Sequence, residues 1–254
     1  MDQVSIAFQL RSLDEVKPWG DPEAGLFLHW YGLTDGWYDL RVGEHRIFEP
    51  AKGQGKGVPY YVARFWEDLV DVAPFALNPL PDELVRRVAR PDWGAWVIRA
   101  WEGAGDNLEL VESALGWWGR RHLPSSFLRG APRLDLWRDG HDLHIEWHSA
   151  ERRPNDPAWS SASGKTVVSA IQFREQLVDF DRGLLDAMEK RIDKFARGWS
   201  NPDIKLDVEE LRKEHATHTH ALREALAVGS DLLPPWKEII AAVGELEKRV
   251  PPNA

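Results

Sequence analysis

The chain of 254 residues contains no cysteine. Disulfides, a thiolate nucleophile and Cys-ligated zinc or iron–sulfur centres are thereby excluded. No apolar run approaches the roughly 18 residues needed to cross a bilayer. The opening MDQVSIAFQLRS lacks the basic and apolar regions of a secretory signal, so a cytoplasmic location is expected. Positive charge is in deficit, with 32 Lys+Arg against 41 Asp+Glu and a formal net charge of −9. Neutralising phosphates needs clustered Lys and Arg, which argues against nucleic acid as a partner. The same charge suits a basic partner, or simply solubility. Also missing are a Gly-x-Ser-x-Gly elbow, a Gly-x-x-x-x-Gly-Lys-Ser/Thr phosphate loop and a His-Glu-x-x-His zinc motif. What the chain has in excess is tryptophan, 14 against four tyrosines. Trp is core material with a polar handle, and it is enriched at interfaces.

The length allows one large domain or two small ones. The first part reads as β. SIAFQLRSL alternates, and LFLHWYGL and WYDLRVG follow, separated by Thr34-Asp35-Gly36, a hairpin signal. HRIF comes after the short turn Gly43-Glu44, and the expectation is a three-stranded meander over 26–48. AKGQGKG, residues 51–57, is a glycine-rich loop without the strand-to-helix context of a phosphate cradle. A helix is predicted through Val62, Phe65, Leu69 and Val72, widened by Trp66 and broken at Pro74, Pro79 and Pro81. PDELVRRVA makes a short helix, and WGAWVIRAW, residues 93–101, reads as a short apolar strand. Asp106 and Glu109 suggest a capping box for a helix with Leu108, Val111, Leu115 and Trp118 on one face.

RLDLW and DLHIEW flank Asp139-Gly140, which predicts a hairpin over 133–148. A polar loop from Ser149 to Gly164, with Pro154 and Pro157, leads to the strand KTVVSAIQ. Residues 173–197 place Leu177, Phe180, Leu184, Met188, Ile192 and Phe195 at helical spacing. Asn201-Pro202 breaks that pattern. Asp207 with Glu210 then opens a helix carrying Val208, Leu211, Leu222 and Leu226, and Pro235 starts a last one through Trp236, Ile239, Ile240, Val243 and Leu246. Strands and helices are segregated, which defines an α+β chain with antiparallel sheet packed against helices and a helical C-terminal third. The expected division is 1–200, an α+β domain, and 201–254, a helical extension on the same core.

Two histidine clusters are the candidate chemistry. In HDLHIEWHS, a strand would put Leu143, Ile145 and Trp147 on one face and His144, Glu146 and His148 on the other, about 7 Å apart. The hairpin would set Asp135 and Trp137 across from them. This row could hold a metal or act as an acid/base pair, but the polar side of an antiparallel sheet is its simpler reading. In EHATHTH, His215 and His218 share a helical stripe with Leu211 and Leu222, where they would be core or interface residues or would contribute metal ligands. Trp117 and Trp118 diverge by about 100° on a helix. Trp118 lies on the apolar stripe and Trp117 at its edge, against another layer, a ligand or a partner. The candidate binding residues are thus Trp117, Trp137, His144, Glu146 and His148. No catalytic residue, cofactor or bound metal is expected.

VKPWG, HWYGLTDGWYDLRVG, VARFWEDL, APRLDLWRDGHDLHIEW, AWSSASG and FREQLVDFDRGLLDAMEKRI together resemble a bacterial family of unknown function (domain of unknown function five-nine-eight-four), over about residues 4–197. The stretch after Pro202 falls outside that resemblance. The family carries over no activity and no catalytic residues. Small, acidic, Trp-rich families of this kind resemble immunity proteins of bacterial toxin systems. The leading expectation is a non-catalytic, immunity-type inhibitor that binds a protein partner, a basic toxin being the model case, with no membrane partner. The alternatives are a metal-dependent hydrolase or nuclease using His144, Glu146, His148, His215 and His218, and a small-molecule sensor with a Trp-lined pocket.

Overall fold

The computed structural model describes residues 3–252 except 22, 24, 54, 126, 150–155, 199, 200, 202, 232 and 233, with the backbone alone at 106 and 229–231. It is an α+β structure with three sheets. In the first, β4 (Asp35–Val42) is central and antiparallel to β1 (Val4–Leu10), β5 (His45–Arg46) and β6 (Val58–Tyr61). A small sheet joins β2 (Trp19–Asp21) and β3 (Gly25–Leu28) to β11 (Ile204–Leu206), which runs parallel to β3. The third sheet is antiparallel in the order β10 (Ser163–Ser169), β9 (Asp142–Ser149), β8 (Pro132–Asp139), β7 (His122–Leu123).

The expected meander over 26–48 does not form, because β3 pairs with β2 and β11 rather than with β4. Residues Gly32–Thr34 make a single 3-10 turn, and Asp35 and Gly36 are already strand. Gly36 faces β1 so closely that a Cβ there would stand 2.2 Å from the Gln9 carbonyl oxygen. Close backbone approach, rather than a turn, accounts for that glycine. Gly43, with φ of +60°, does turn β4 into β5. Between β8 and β9 the loop is Gly140-His141, one residue later than Asp139-Gly140, since Asp139 pairs with Asp142. Gly140 supplies the positive φ that a two-residue hairpin loop of this kind needs at its first position.

Helix α1 (Val62–Ala76) runs through Pro74, which sits in its last turns and leaves the packing of Phe65, Trp66, Leu69 and Val72 undisturbed. α2 spans Asp82–Val88. WGAWVIRAW is the helix α3 (Trp93–Glu102), not a strand. Its buried residues Trp93, Trp96, Val97 and Ala100 fall at i, i+3, i+4 and i+7, the spacing of one helix face. α4 (Leu108–Gly119) begins at Asn107, and the Asp106 side chain of the expected capping box lies outside the described residues. Pro154 and Pro202 lie outside them too. α5 (Ala170–Arg197) starts earlier than its periodicity suggests, because Ser169 caps it by accepting the Gln172 amide.

Asp207 likewise accepts the amides of Glu209 and Glu210 at the start of α6 (Val208–His218). That helix stops before Leu222, and α7 (Ala221–Asp231) is separate. The hydroxyls of Thr217 and Thr219 bond back to the Glu214 and Ala216 carbonyls at the break, the habit that makes Thr a poor helix interior. α8 spans Trp236–Arg249.

Two apolar cores result. The first gathers Trp30, Tyr38, Phe65, Trp66, Ile145, Trp147, Phe173 and Phe180, with Leu211 and Leu222. The second gathers Trp93, Trp96, Trp117, Trp118 and Trp137 with Ile239, Val243 and Leu246. The C-terminal helices are therefore shared between cores, α6 and α7 on one and α8 on the other. Sheet β7–β10 separates the two, turning Leu134, Leu136, Leu143, Ile145 and Trp147 to the first core and Trp137 to the second.

Candidate functional site

The face of the β7–β10 sheet opposite Ile145 brings the sequence-marked polar residues together. Strand register lines them up in rows, since pairing fixes which side chains stand abreast. One row is His122, Asp135, Glu146 and Lys165, each the direct partner of the next. Arg133, His148 and Ser163 form the row on one side. Trp137, His144 and Val167 form the row on the other.

The charges in these rows answer one another. Asp135 is buried, with His122 Nδ1 2.5 Å and Arg133 Nε 3.2 Å from its Oδ1. Burial alone would push the Asp135 carboxyl up; the hydrogen bond and charge of His122, helped by Arg133, prevail and hold it below its ordinary value. His148 Nε2 stands 3.7 Å from Glu146 Oε2, and that contact raises the His148 imidazole against the effect of burial. His144 stacks on the Trp137 indole at 3.7 Å with the rings nearly parallel. Desolvation lowers its pKa, opposed by Asp139, Asp142 and Glu146.

Trp137 and Trp117 are buried, so neither offers a surface. Trp117 packs edge-on against Trp118 and Trp236 and donates its indole N–H to the Ala114 carbonyl at 2.7 Å. Trp117 and Trp137 are both packed within the second core. The residue of this face that sequence reading missed is His122. It sits on a two-residue strand within RRHLPSS, and only β7–β8 pairing brings it to Asp135.

His215 and His218 lie elsewhere, half-buried on α6. Trp30 donates its indole N–H to His215 Nδ1 at 3.3 Å, and the His218 ring lies 4.2 Å from that of Trp30. Desolvation lowers both imidazoles; Glu189 opposes it at His215, and His215 reinforces it at His218. These histidines make no contact with those of β9, and among the described residues no three His, Asp or Glu side chains gather as metal ligands would. In the glycine-rich loop, the buried carboxylate of Glu49 accepts the amides of Gly55 and Gly57 at 2.9 and 2.8 Å. The amides that a phosphate would need are thus bound by the protein's own anion.

The fold and these surfaces define an α+β protein with a paired polar sheet face. The model of a family of unknown function (DUF5984) matches residues 5–242, and the chain belongs to that family. The match continues beyond residue 197, through α6 with its histidines, α7 and the first half of α8. No curated protein and no solved structure matches significantly. Among the described residues no helix is long and apolar enough to cross a membrane.

Proposed function

We propose that this chain is a non-catalytic interaction protein, an inhibitor of the immunity type whose partner is a basic protein of the cytoplasm. The observation that carries the reading is the outer surface of α3 and α4. Ile98, Trp101 and Leu108 are 53, 40 and 49% exposed, although aromatic and aliphatic side chains of this size normally enter a core. Ile98 and Trp101 are three residues apart on α3, and Leu108 opens the next helix after one 3-10 turn. Exposed Glu102, Glu109 and Glu112 lie along the same stretch. Apolar anchors within an acidic surround fit a protein partner with basic residues at its rim. On the β7–β10 face, by contrast, Asp135 already has Arg133 and His122 against it and Glu146 has His148, which leaves them poor metal ligands.

The test is co-expression with a toxin encoded beside this gene. Restored growth and an isolated stoichiometric complex are expected, both weakened by Trp101→Arg. Unrelieved toxicity, or a complex indifferent to Trp101→Arg, would overturn the reading.

A second reading rests on His122. Asp135 Oδ1 stands 2.5 Å from its Nδ1, and a proton held there would make Nε2 the basic nitrogen, as a general base requires. Turnover of an activated ester that is abolished by His122→Ala would favour this hydrolytic reading.

A further inference from the structure

Between β3 and the first turns of α6 lies a groove of about 360 Å³. Its floor is apolar: Leu28 and Leu211 are buried there, and Phe27 stands 39% exposed at its side. Its rim is acidic. Among the described residues Asp207, Glu210 and Glu214 line it together with Lys205 and His29.

The three carboxylates differ in how well they are satisfied. Asp207 is engaged as the cap of α6, accepting two amides at 3.0 Å. Among the described residues Glu210 is paired with Lys213 alone, at 3.7 Å with both side chains well exposed, a pairing worth little in water. Glu214 is half-buried and accepts a backbone N–H from Trp30, but among the described residues no cation pairs with it. Desolvation and the neighbouring Glu210 push its carboxyl above the ordinary value. A carboxylate so placed is stabilised by an incoming cation. Glu210 and Glu214 are four residues apart on α6, so they flank one point of the groove.

We propose that this groove receives a lysine or arginine side chain from a basic segment of a partner protein. The aliphatic stem lies on Leu28 and Leu211, and the cationic head meets Glu210 and Glu214. The exposed Phe27 ring offers a further face to the cation, with Trp19 beside it as its cross-strand partner. Charge complementarity selects this occupant, because an apolar floor alone would serve any hydrophobe whereas the weakly paired Glu210 and the half-buried Glu214 favour a cation. The proposal rests on the interaction reading and specifies the chemistry of one contact.

The experiment titrates the full chain against a fluorescein-labelled peptide of alternating arginine and leucine, followed by anisotropy at low and physiological salt. Glu210→Gln/Glu214→Gln should weaken binding by about tenfold or more, the scale of losing a partly desolvated charge contact. Glu238→Gln/Glu245→Gln, on α8, removes the same charge elsewhere and should change affinity less than about twofold. Circular dichroism confirms that both variants are folded. Equal weakening in the two variants, or no peptide binding by the wild type, overturns the proposal. So does a wild-type dimer in sedimentation that the groove substitutions dissolve, since the occupant is then a second copy. Toxin protection by a chain whose groove binds no peptide would sink this inference and leave the interaction reading standing. Peptide binding without protection against any toxin would do the reverse.

Discussion

Gly164→Ala puts the packing of the β7–β10 sheet to a quantitative test. Gly164 lies on β10 directly opposite Trp147, whose side chain is fully buried. A Cβ at 164 would stand 2.3 Å from Cζ2 of that indole and under 3 Å from two more of its carbons. Carbon atoms sit comfortably at about 3.5–4.0 Å, so the ring or the strand must give by more than about 1 Å. The ring has little room to move, because its N–H is bonded to Ser161 Oγ at 2.9 Å and His45 packs 5.1 Å away. Overpacking of a filled core costs about 1–3 kcal/mol, and losing the indole hydrogen bond about 1 kcal/mol more. Reduced freedom of the unfolded chain returns about 0.4–1 kcal/mol. The net expectation is a loss of about 1–3 kcal/mol, read as a lower urea midpoint at unchanged slope, with Tm falling by roughly 3–10 °C. Gly116→Ala supplies the opposite sign. That glycine is exposed within α4 with nothing within 4 Å of a Cβ, so the variant should gain up to about 1 kcal/mol. Gly164→Ala within about 0.5 kcal/mol of the wild type would refute the packing argument.

Two further outcomes concern titration. His215 and His218 have lowered pKa values in the folded chain, so the unfolded chain binds more protons as pH falls through about 6.5. Their contribution to stability is present above that pH and is lost below it. Desolvation is the cause at both, and a His215 ring protonated at Nδ1 can in addition no longer accept the Trp30 N–H. Protection factors across α6, taken against the intrinsic exchange rate at each pH, should therefore fall between about pH 7.5 and about pH 5.5, and His215→Gln/His218→Gln should remove the difference; equal protection factors at both values in the wild type would count against it. Asp68 is the reverse case. It is buried beside Arg64, yet desolvation lifts its carboxyl to about 7, so the group costs stability as pH rises from about 4 towards 7. Asp68→Asn should raise stability by on the order of 1–3 kcal/mol at pH 8 and by little near pH 4, as chemical denaturation at the two values would show.

Much of this architecture was written in local pattern. The two-residue alternation of DLHIEW put Leu143, Ile145 and Trp147 on a buried face and left His144, Glu146 and His148 on the other, because a strand's side chains alternate whatever it pairs with. The stripe of α5 and the Asp207 cap are local in the same sense, depending on residues within a turn or two. WGAWVIRAW also carried its helical period, hidden by how apolar it is. What the chain could not display by itself was choice of partner. Thr34-Asp35-Gly36 looks like a turn in isolation, and only the approach of β1 makes Gly36 a close-contact strand residue. Nothing local marks Glu49 as buried, and it becomes so because the loop amides of Gly55 and Gly57 close on it. His122 and Asp135 are thirteen positions apart and Glu210 and Glu214 only four, yet each pair acquires its setting from a neighbouring strand. Periodicity is set by bonds along the backbone and survives in the sequence. Pairing across strands and the closing of a groove are settled by which surfaces exclude water together, and that is decided only when the whole chain folds.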